Sequence, residues 1–175
     1  MKYLLCHYIK ECYNNGWIAP IDGNISYRAA NADYFYITPA SLRKQEINND
    51  DIVKIMLNYQ NKSFEKDYEC NRQPSGEIHL HSHFMLDESY KDKNMCVVHC
   101  HPPYILAYVG MLKSNRELKT IVDMFPELSV NVADNVPYIE AKTHQLAHVT
   151  YKKLKGKDII ALKQHGIVCI GTSFQ

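Results

Sequence analysis

The sequence predicts an α/β fold, a mixed sheet flanked by helices. Three observations lead there. Strand-type segments crowd the first part of the chain, helical periodicities alternate with strands later, and "IIALKQHGIVCIG" near the C-terminus reads as a tight strand pair.

The elements follow in order. The opening stretch through Asn15 has helical spacing, with Leu4, Leu5, Tyr8, Cys12 and Tyr13 available for one face. "GNISYRAANADYFYIT" is a hairpin, two strands around the turn residues Asn31 to Asp33. Ile52 to Leu57 is a third short strand, and a polar loop runs on to about Cys70. "PSGEIHLHSHFML" opens a helix, with Pro74 and Ser75 as start signals. On that helix Glu77, Ile78, Leu80, His81, Phe84 and Met85 share one side, while His79 and His83 fall on the other. "VVHCH" is a strand, and a short helix is expected from Pro103 to Met111. Residues 112–140 show no clear period. Ala141 to Lys155 is a helix with Gly156 in the C-cap position, and the final strand pair turns at His165 and Gly166.

With 175 residues, 46% apolar and 22% charged, the chain suits one globular domain spanning 1–175. A formal net charge of +1 and the lack of a basic stripe argue against a nucleic-acid partner. Lys152, Lys153, Lys155 and Lys157 read as a solvated helix face. "MKYLLCHYIKEC" is too short and polar for a signal-peptide core or a membrane span. Six cysteines form no CxxC pair, which points to reduced thiols and a cytoplasmic protein.

The chemistry starts at His99 and His101. In a strand, residues two apart project to one face, roughly 6–7 Å apart, so both imidazoles can hold one cation while Cys100 faces away. Alone, the pair reads equally as polar residues at a strand end, because zinc prefers three or four ligands. His165, presented in a turn beside a glycine, supplies the third and leaves a position open. Glu77 shares the apolar side of its helix, where a carboxylate needs a partner. It is read as a fourth ligand, as a base, or as a first-turn glutamate facing the helix dipole. His81, one turn on, is either its hydrogen-bond partner or a satisfied core histidine. His79 and His83 also have chelating spacing, but they lie on the wetter face and are assigned to the surface.

Three loops have the composition of anion binders. "DGNIS" offers Gly23 and Asn24, "TPAS" two hydroxyls, and "PSGE" Ser75 and Gly76 at a helix start. Together they suggest a phosphorylated or carboxylated substrate.

The order "GNIS", "TPAS", "PSGE", "HCH" and "KQHG" resembles the class II aldolase/adducin family from about Gly16 to the last residue. The resemblance implies a three-layer α/β/α sandwich around a largely antiparallel sheet. It also implies a homotetramer with sites at subunit interfaces. One zinc ion per subunit, or another divalent metal, would be held by His99, His101 and His165. Glu77 would ligate it or act as acid and base, and Gly23, Asn24, Ser41, Ser75 and Gly76 would bind the substrate's phosphate. The implied function is a zinc-dependent aldolase that cleaves or forms a carbon–carbon bond in a small phosphorylated sugar. An epimerase, decarboxylase or dehydratase of sugar phosphates would use nearly the same residues. A non-catalytic, adducin-like interaction domain has no need of the three histidines and Glu77.

There are departures from the family pattern. Ala40-Ser41 stands where many members have Ser-Gly, and Ile21 where a threonine precedes the "GN" step. The acid-donating tyrosine of some members has no counterpart in "VDMFPEL", where Phe125 cannot donate a proton; Tyr104, Tyr108 and Tyr138 are the remaining candidates. The chain stops at "GTSFQ", where relatives continue into a terminal helix, so a short member or an incomplete site is expected.

Overall fold

The structure is a computed structural model that describes residues 1–110 and 116–174. Its strands are β1 (Asn24–Arg28), β2 (Tyr34–Ile37), β3 (Val53–Asn58), β4 (Ser63–Lys66), β5 (Met95–Cys100), β6 (Ile159–Leu162) and β7 (Gly166–Gly171). The helices are α1 (Lys2–Asn14), α2 (Ile78–Met85), α3 (Pro103–Val109), α4 (Leu118–Val122) and α5 (His144–Leu154). The strands form one sheet in the order β4-β3-β2-β1-β5-β7-β6, with every strand pair antiparallel.

Alternation along the strands divides the apolar residues between two faces. Phe35, Ile37, Val53, Ile55, Val97, Ile160 and Val168 meet Leu80 and Phe84 of α2 and Leu146 and Leu154 of α5. On the other face Ile25, Tyr27, Cys96 and Ile167 meet Leu5 and Ile9 of α1, Val109 of α3 and Leu118 of α4. The result is the expected three-layer sandwich. Each fully buried Leu, Ile or Phe contributes about 1.5–3 kcal/mol, so both faces are sealed by many such side chains.

Several elements differ from the expectation. In α1 the buried positions are Leu5, Cys6, Ile9 and Cys12, whereas Leu4 is exposed and Tyr8 and Tyr13 are half-buried. The polar loop before Cys70 contains a strand, β4. It lies at the sheet edge with Ser63 and Glu65 exposed, and charge on an edge strand discourages pairing with other chains. Helix α5 starts at His144, later than expected. Lys142 has φ 64, outside the helical region, and Thr143 caps the helix by accepting the Leu146 N–H at 3.2 Å. Helix α3 ends at Val109; the expected last residue, Met111, lies outside the described residues. The stretch without a period contains α4, a 3-10 turn at Pro126–Leu128, and two bridges parallel to β6, Val132 with Ile159 and Val136 with Leu162.

Asp87, after α2, ties that helix to α5. Its carboxylate accepts from Tyr151 Oη at 2.7 Å, from Lys155 Nζ at 2.7 Å and from the Ser89 backbone and hydroxyl. Burial opposes ionisation, but these bonds outweigh it and hold the carboxyl at about 2. A depressed carboxyl stabilises the fold above its ordinary range and loses that contribution as pH falls through the folded value. Asp87→Asn is therefore expected to cost about 1–3 kcal/mol at neutral pH, with the gap to wild type closing between roughly pH 4 and pH 2. Urea melts of both proteins across that range measure it. Among the described residues no helix is long and apolar enough to cross a membrane.

Candidate active site

The antiparallel register of β1 and β5 sets Asn24 directly opposite His99. His99 is 1% exposed and shares its sheet face with Val97, while Cys100 enters the opposite core. His101 follows the end of β5, where its backbone N–H donates to Trp17 O at 2.7 Å, and Pro102 and Pro103 prevent the strand from continuing. His165 ends the β6–β7 turn, after Gln164 at φ 60. The next residue must be glycine. A Cβ on Gly166 would stand 2.5 Å from both Cys100 O and His101 Cδ2, so a side chain there would push the turn off the His-Cys-His strand end.

The three imidazoles converge, with one ligand nitrogen from each lying within 4.8 Å of the others. His99 Nδ1 faces Ile167 O at 2.8 Å and His101 Nδ1 faces Asp22 Oδ2 at 2.9 Å. Both acceptors favour a proton on Nδ1, which turns the Nε2 lone pair inward, as metal-ligating histidines require. The two Nε2 atoms then face each other at 3.0 Å, an arrangement that needs a proton or a cation between them. His165 Nδ1 is buried and finds no partner among the described residues.

Glu77, 6% exposed, ends the PSGE loop immediately before α2. Its Oε2 lies 2.9 Å from His99 Nε2 and its Oε1 3.3 Å from His165 Nε2. Burial works against ionisation here, but the hydrogen bond to His99 and that ring's charge hold the carboxyl at about 2. His99 is shifted upward, because Glu77 outweighs burial. Burial and the charge of His99 push His165 down to about 4. When the His99 ring is neutral, with its one proton on Nδ1, Nε2 no longer donates to Glu77 and neither carboxylate oxygen receives a hydrogen bond. A divalent cation would satisfy the inward nitrogens and the carboxylate at once. The donor set therefore fits a metal ion.

His81 does not bond to Glu77. It is fully buried, its Nε2 meets Asn24 Oδ1, and its Nδ1 lies 2.6 Å from Ser26 Oγ. Burial and the charge of His99 push it down to about 3, so the ring is neutral. A neutral ring that donates from Nε2 and accepts the Ser26 hydroxyl fixes Asn24 with its oxygen inward and its NH2 free for the cleft.

A cleft of about 280 Å³ opens beside the histidines, and all three anion-type loops line it. Gly23 and Asn24 come from the first, Ser41 from the second, Ser75 and Gly76 from the third. Backbone bonds sew the second and third together, Ala40 N–H to Gln73 O at 2.9 Å and Ser75 N–H to Thr38 O at 3.1 Å. Thr38 itself is buried and spends its hydroxyl on the Ile25 N–H, so only one of the two TPAS hydroxyls faces the cleft. Gly23 has φ 64, and a Cβ there would collide with Ile18.

Three residues of the cleft carry no signal of this role in the sequence. Asp22 orients His101. Lys44 lines the cleft although its residue is 2% exposed, and burial pushes its ammonium down to about 8 against the pull of Asp22. Lys142 lays its side chain across Gly76, where a Cβ would meet Lys142 Cδ at 3.1 Å. Lys142 and Ser41 both have positive φ (64 and 56), and strain of this kind concentrates at functional sites. None of Tyr104, Tyr108 and Tyr138 lines the cleft.

The family model for the class II aldolase and adducin N-terminal domain matches residues 4–175. The chain is 28% identical over 169 residues to the L-fuculose phosphate aldolase of Methanocaldococcus jannaschii, covering 94% of this chain and 82% of that protein. It is 26% identical over 174 residues to the methylthioribulose-1-phosphate dehydratase of a Sulfurihydrogenibium species, covering 92% and 74%. In three dimensions it resembles the L-fuculose-1-phosphate aldolase of Thermus thermophilus, with a TM-score of 0.71 at 18% identity over 99% of this chain and 81% of that one. That last likeness is one of fold.

Proposed function

Because the chain belongs to the class II aldolase and adducin N-terminal domain family, we propose that it is a zinc-dependent aldolase acting on a small phosphorylated sugar. One observation carries the reading: three histidines, a buried carboxylate and three anion-type loops share a single cleft. An assembly module would gain nothing from burying Glu77 against His99 and His165.

His99, His101 and His165 would hold the ion, and Glu77 stands beside it as a further oxygen ligand or as the acid and base. A bound divalent ion supplies Lewis acidity toward a substrate carbonyl or hydroxyl oxygen. Ile167 O and Asp22 hold the two strand-end imidazoles in the ligating tautomer. Glu77 takes up and returns the proton at the substrate carbon or hydroxyl next to that oxygen. Asn24, aimed by His81, donates its NH2 to the substrate, while Gly23, Ser41, Ser75 and Gly76 receive the phosphate. Lys44 and Lys142 add positive charge to that end of the cleft. No tyrosine among the described residues reaches the cleft, so an acid toward the leaving aldehyde would come from a neighbouring subunit of a homotetramer.

A dehydratase is the second reading, favoured by the relative of that name. Both reactions place negative charge on the carbon beside a carbonyl, but by different routes. Cleavage removes the β-hydroxyl proton as the carbon–carbon bond breaks and then protonates that carbon. Dehydration removes the proton from that carbon and then expels the β-hydroxyl as water. A panel of ketose 1-phosphates, L-fuculose 1-phosphate among them, separates them. An aldolase releases dihydroxyacetone phosphate and an aldehyde; a dehydratase loses water and keeps the carbon chain whole. Interconversion of epimers would transfer the assignment to an epimerase. No turnover of any phosphorylated ketose by the zinc-loaded protein would remove the catalytic reading.

Lys44 gives a further test. A charge-assisted bond to phosphate contributes about 1.5–3 kcal/mol, so Lys44→Met should raise KM for a phosphorylated substrate about tenfold to a hundredfold, with a smaller effect on kcat. The ammonium is the binding form, so wild-type kcat/KM should fall as pH rises through about 8, and Lys44→Met should lose that limb.

A further inference from the structure

Four of the nine histidines stand apart from the cleft in a second group. His79 and His83 are one helical turn apart on α2, and His144 and His148 are one turn apart on α5. The two helices pack side by side on the same face of the sheet. His79 faces His144 with ring centroids 3.8 Å apart, and His83 faces His148 at 5.9 Å. The helices therefore run in the same direction here, and two i, i+4 imidazole pairs stand opposite each other.

Such a pair projects from one side of a helix and can grip a single ion. Ring separations within the cleft triad, whose nitrogens converge, are 4.7, 4.8 and 5.5 Å. Among the described residues only the triad's nitrogens already converge, so the second site closes when the exposed α5 rings turn toward those on α2. On α2 the rings are half-buried and seated, His79 against Phe64 at 5.3 Å and His83 stacked on Tyr151 at 5.3 Å. On α5 His144 and His148 are exposed, so their side chains can rotate toward an ion arriving from solvent. One half is pre-organised and the other is adaptable.

We propose that His79, His83, His144 and His148 form a second metal site, which binds a borderline divalent ion such as zinc or nickel and clamps α2 to α5. Imidazole ligands select such ions over magnesium or calcium, which prefer oxygen. The role is structural, because four protein ligands fill a tetrahedral ion and leave no open position. The clamp also reaches the cleft indirectly. Helix α2 begins directly after Glu77 and carries His81, so fixing it steadies both side chains. The site is independent of the reaction proposed above.

Its test is zinc titration of chelator-stripped protein, with bound ions counted by competition against a chromophoric chelator. His144→Ala with His148→Ala removes two exposed ligands from a helix that tolerates alanine. The double variant is expected to bind one zinc fewer per chain than wild type. In a His99→Ala, His101→Ala background, zinc should still raise Tm, and adding the α5 substitutions should abolish that rise. If the double variant folds poorly, His148→Ala alone should weaken the affected binding step by at least about tenfold. Equal zinc counts in wild type and the α5 variant, or a Tm rise that survives all four substitutions, would overturn the proposal.

Discussion

Replacing His99 by alanine is expected to remove the cleft metal and the turnover in one step. His99 supplies an inward lone pair at 3.0 Å from that of His101 and lies 2.9 Å from Glu77. Without it two of the three imidazoles remain, and even with Glu77 as a third ligand the site loses the most deeply buried member of its set. Activity should fall to background on every substrate that wild type accepts, with one zinc fewer retained after gentle purification. The fold will suffer as well. His99 is buried in the middle of the sheet, and its loss takes the ring's hydrogen bond from Ile167 O and leaves the Glu77 carboxylate with only His165 beside it, partly stranding both. A stranded buried polar group costs about 1–3 kcal/mol. His101→Ala is the cleaner companion, because His101 is partly exposed and its partner Asp22 can turn to water. It should lose metal and turnover equally with a smaller drop in Tm. Retained zinc and retained turnover in His101→Ala would remove that residue from the site.

Glu77→Gln should do something different. The amide keeps the size of the side chain but cannot take up and return a proton. Loss of a positioned acid–base group lowers rates by about 10²–10⁴, and kcat should fall by that order while zinc content and far-UV CD stay close to wild type. The charge removed is the one that shifts His99 upward, so the His99 ring becomes easier to deprotonate and remains available as a ligand. An unchanged kcat would take Glu77 out of the mechanism. Lost zinc with intact structure would make it a ligand instead.

Much of the triad is legible in the sequence, for simple reasons. Strand alternation alone places His99 and His101 on one side, and a glycine next to His165 marks a turn that exposes it. The loops are legible as types, though only the fold shows that DGNIS, TPAS and PSGE meet in one cleft. His81 shows where such reading stops. Helical spacing puts it one turn from Glu77, yet its partners are Ser26 and Asn24, more than fifty residues away, and no local pattern reports a strand packed beneath a helix. Lys44 and Lys142 are hidden for the same reason, since a lysine's default reading is a solvated one. Strand β4 is hidden because an exposed, charged edge strand has the composition of a loop. The expected start of helix α5 falls too early because a backbone at positive φ leaves no mark on a lysine. His79 and His83, expected at the surface, are half-buried; facing His144 and His148 across a helix pair is a tertiary fact that neither helix carries alone.

The most direct measurement is anomalous diffraction at the zinc edge on crystals of the protein grown with the ion. A peak within bonding distance of His99, His101 and His165, with Glu77 beside it and one coordination position open to the cleft, is the expected result. Crystals with zinc at ordinary occupancy elsewhere and no peak among those three rings would contradict the account at its base.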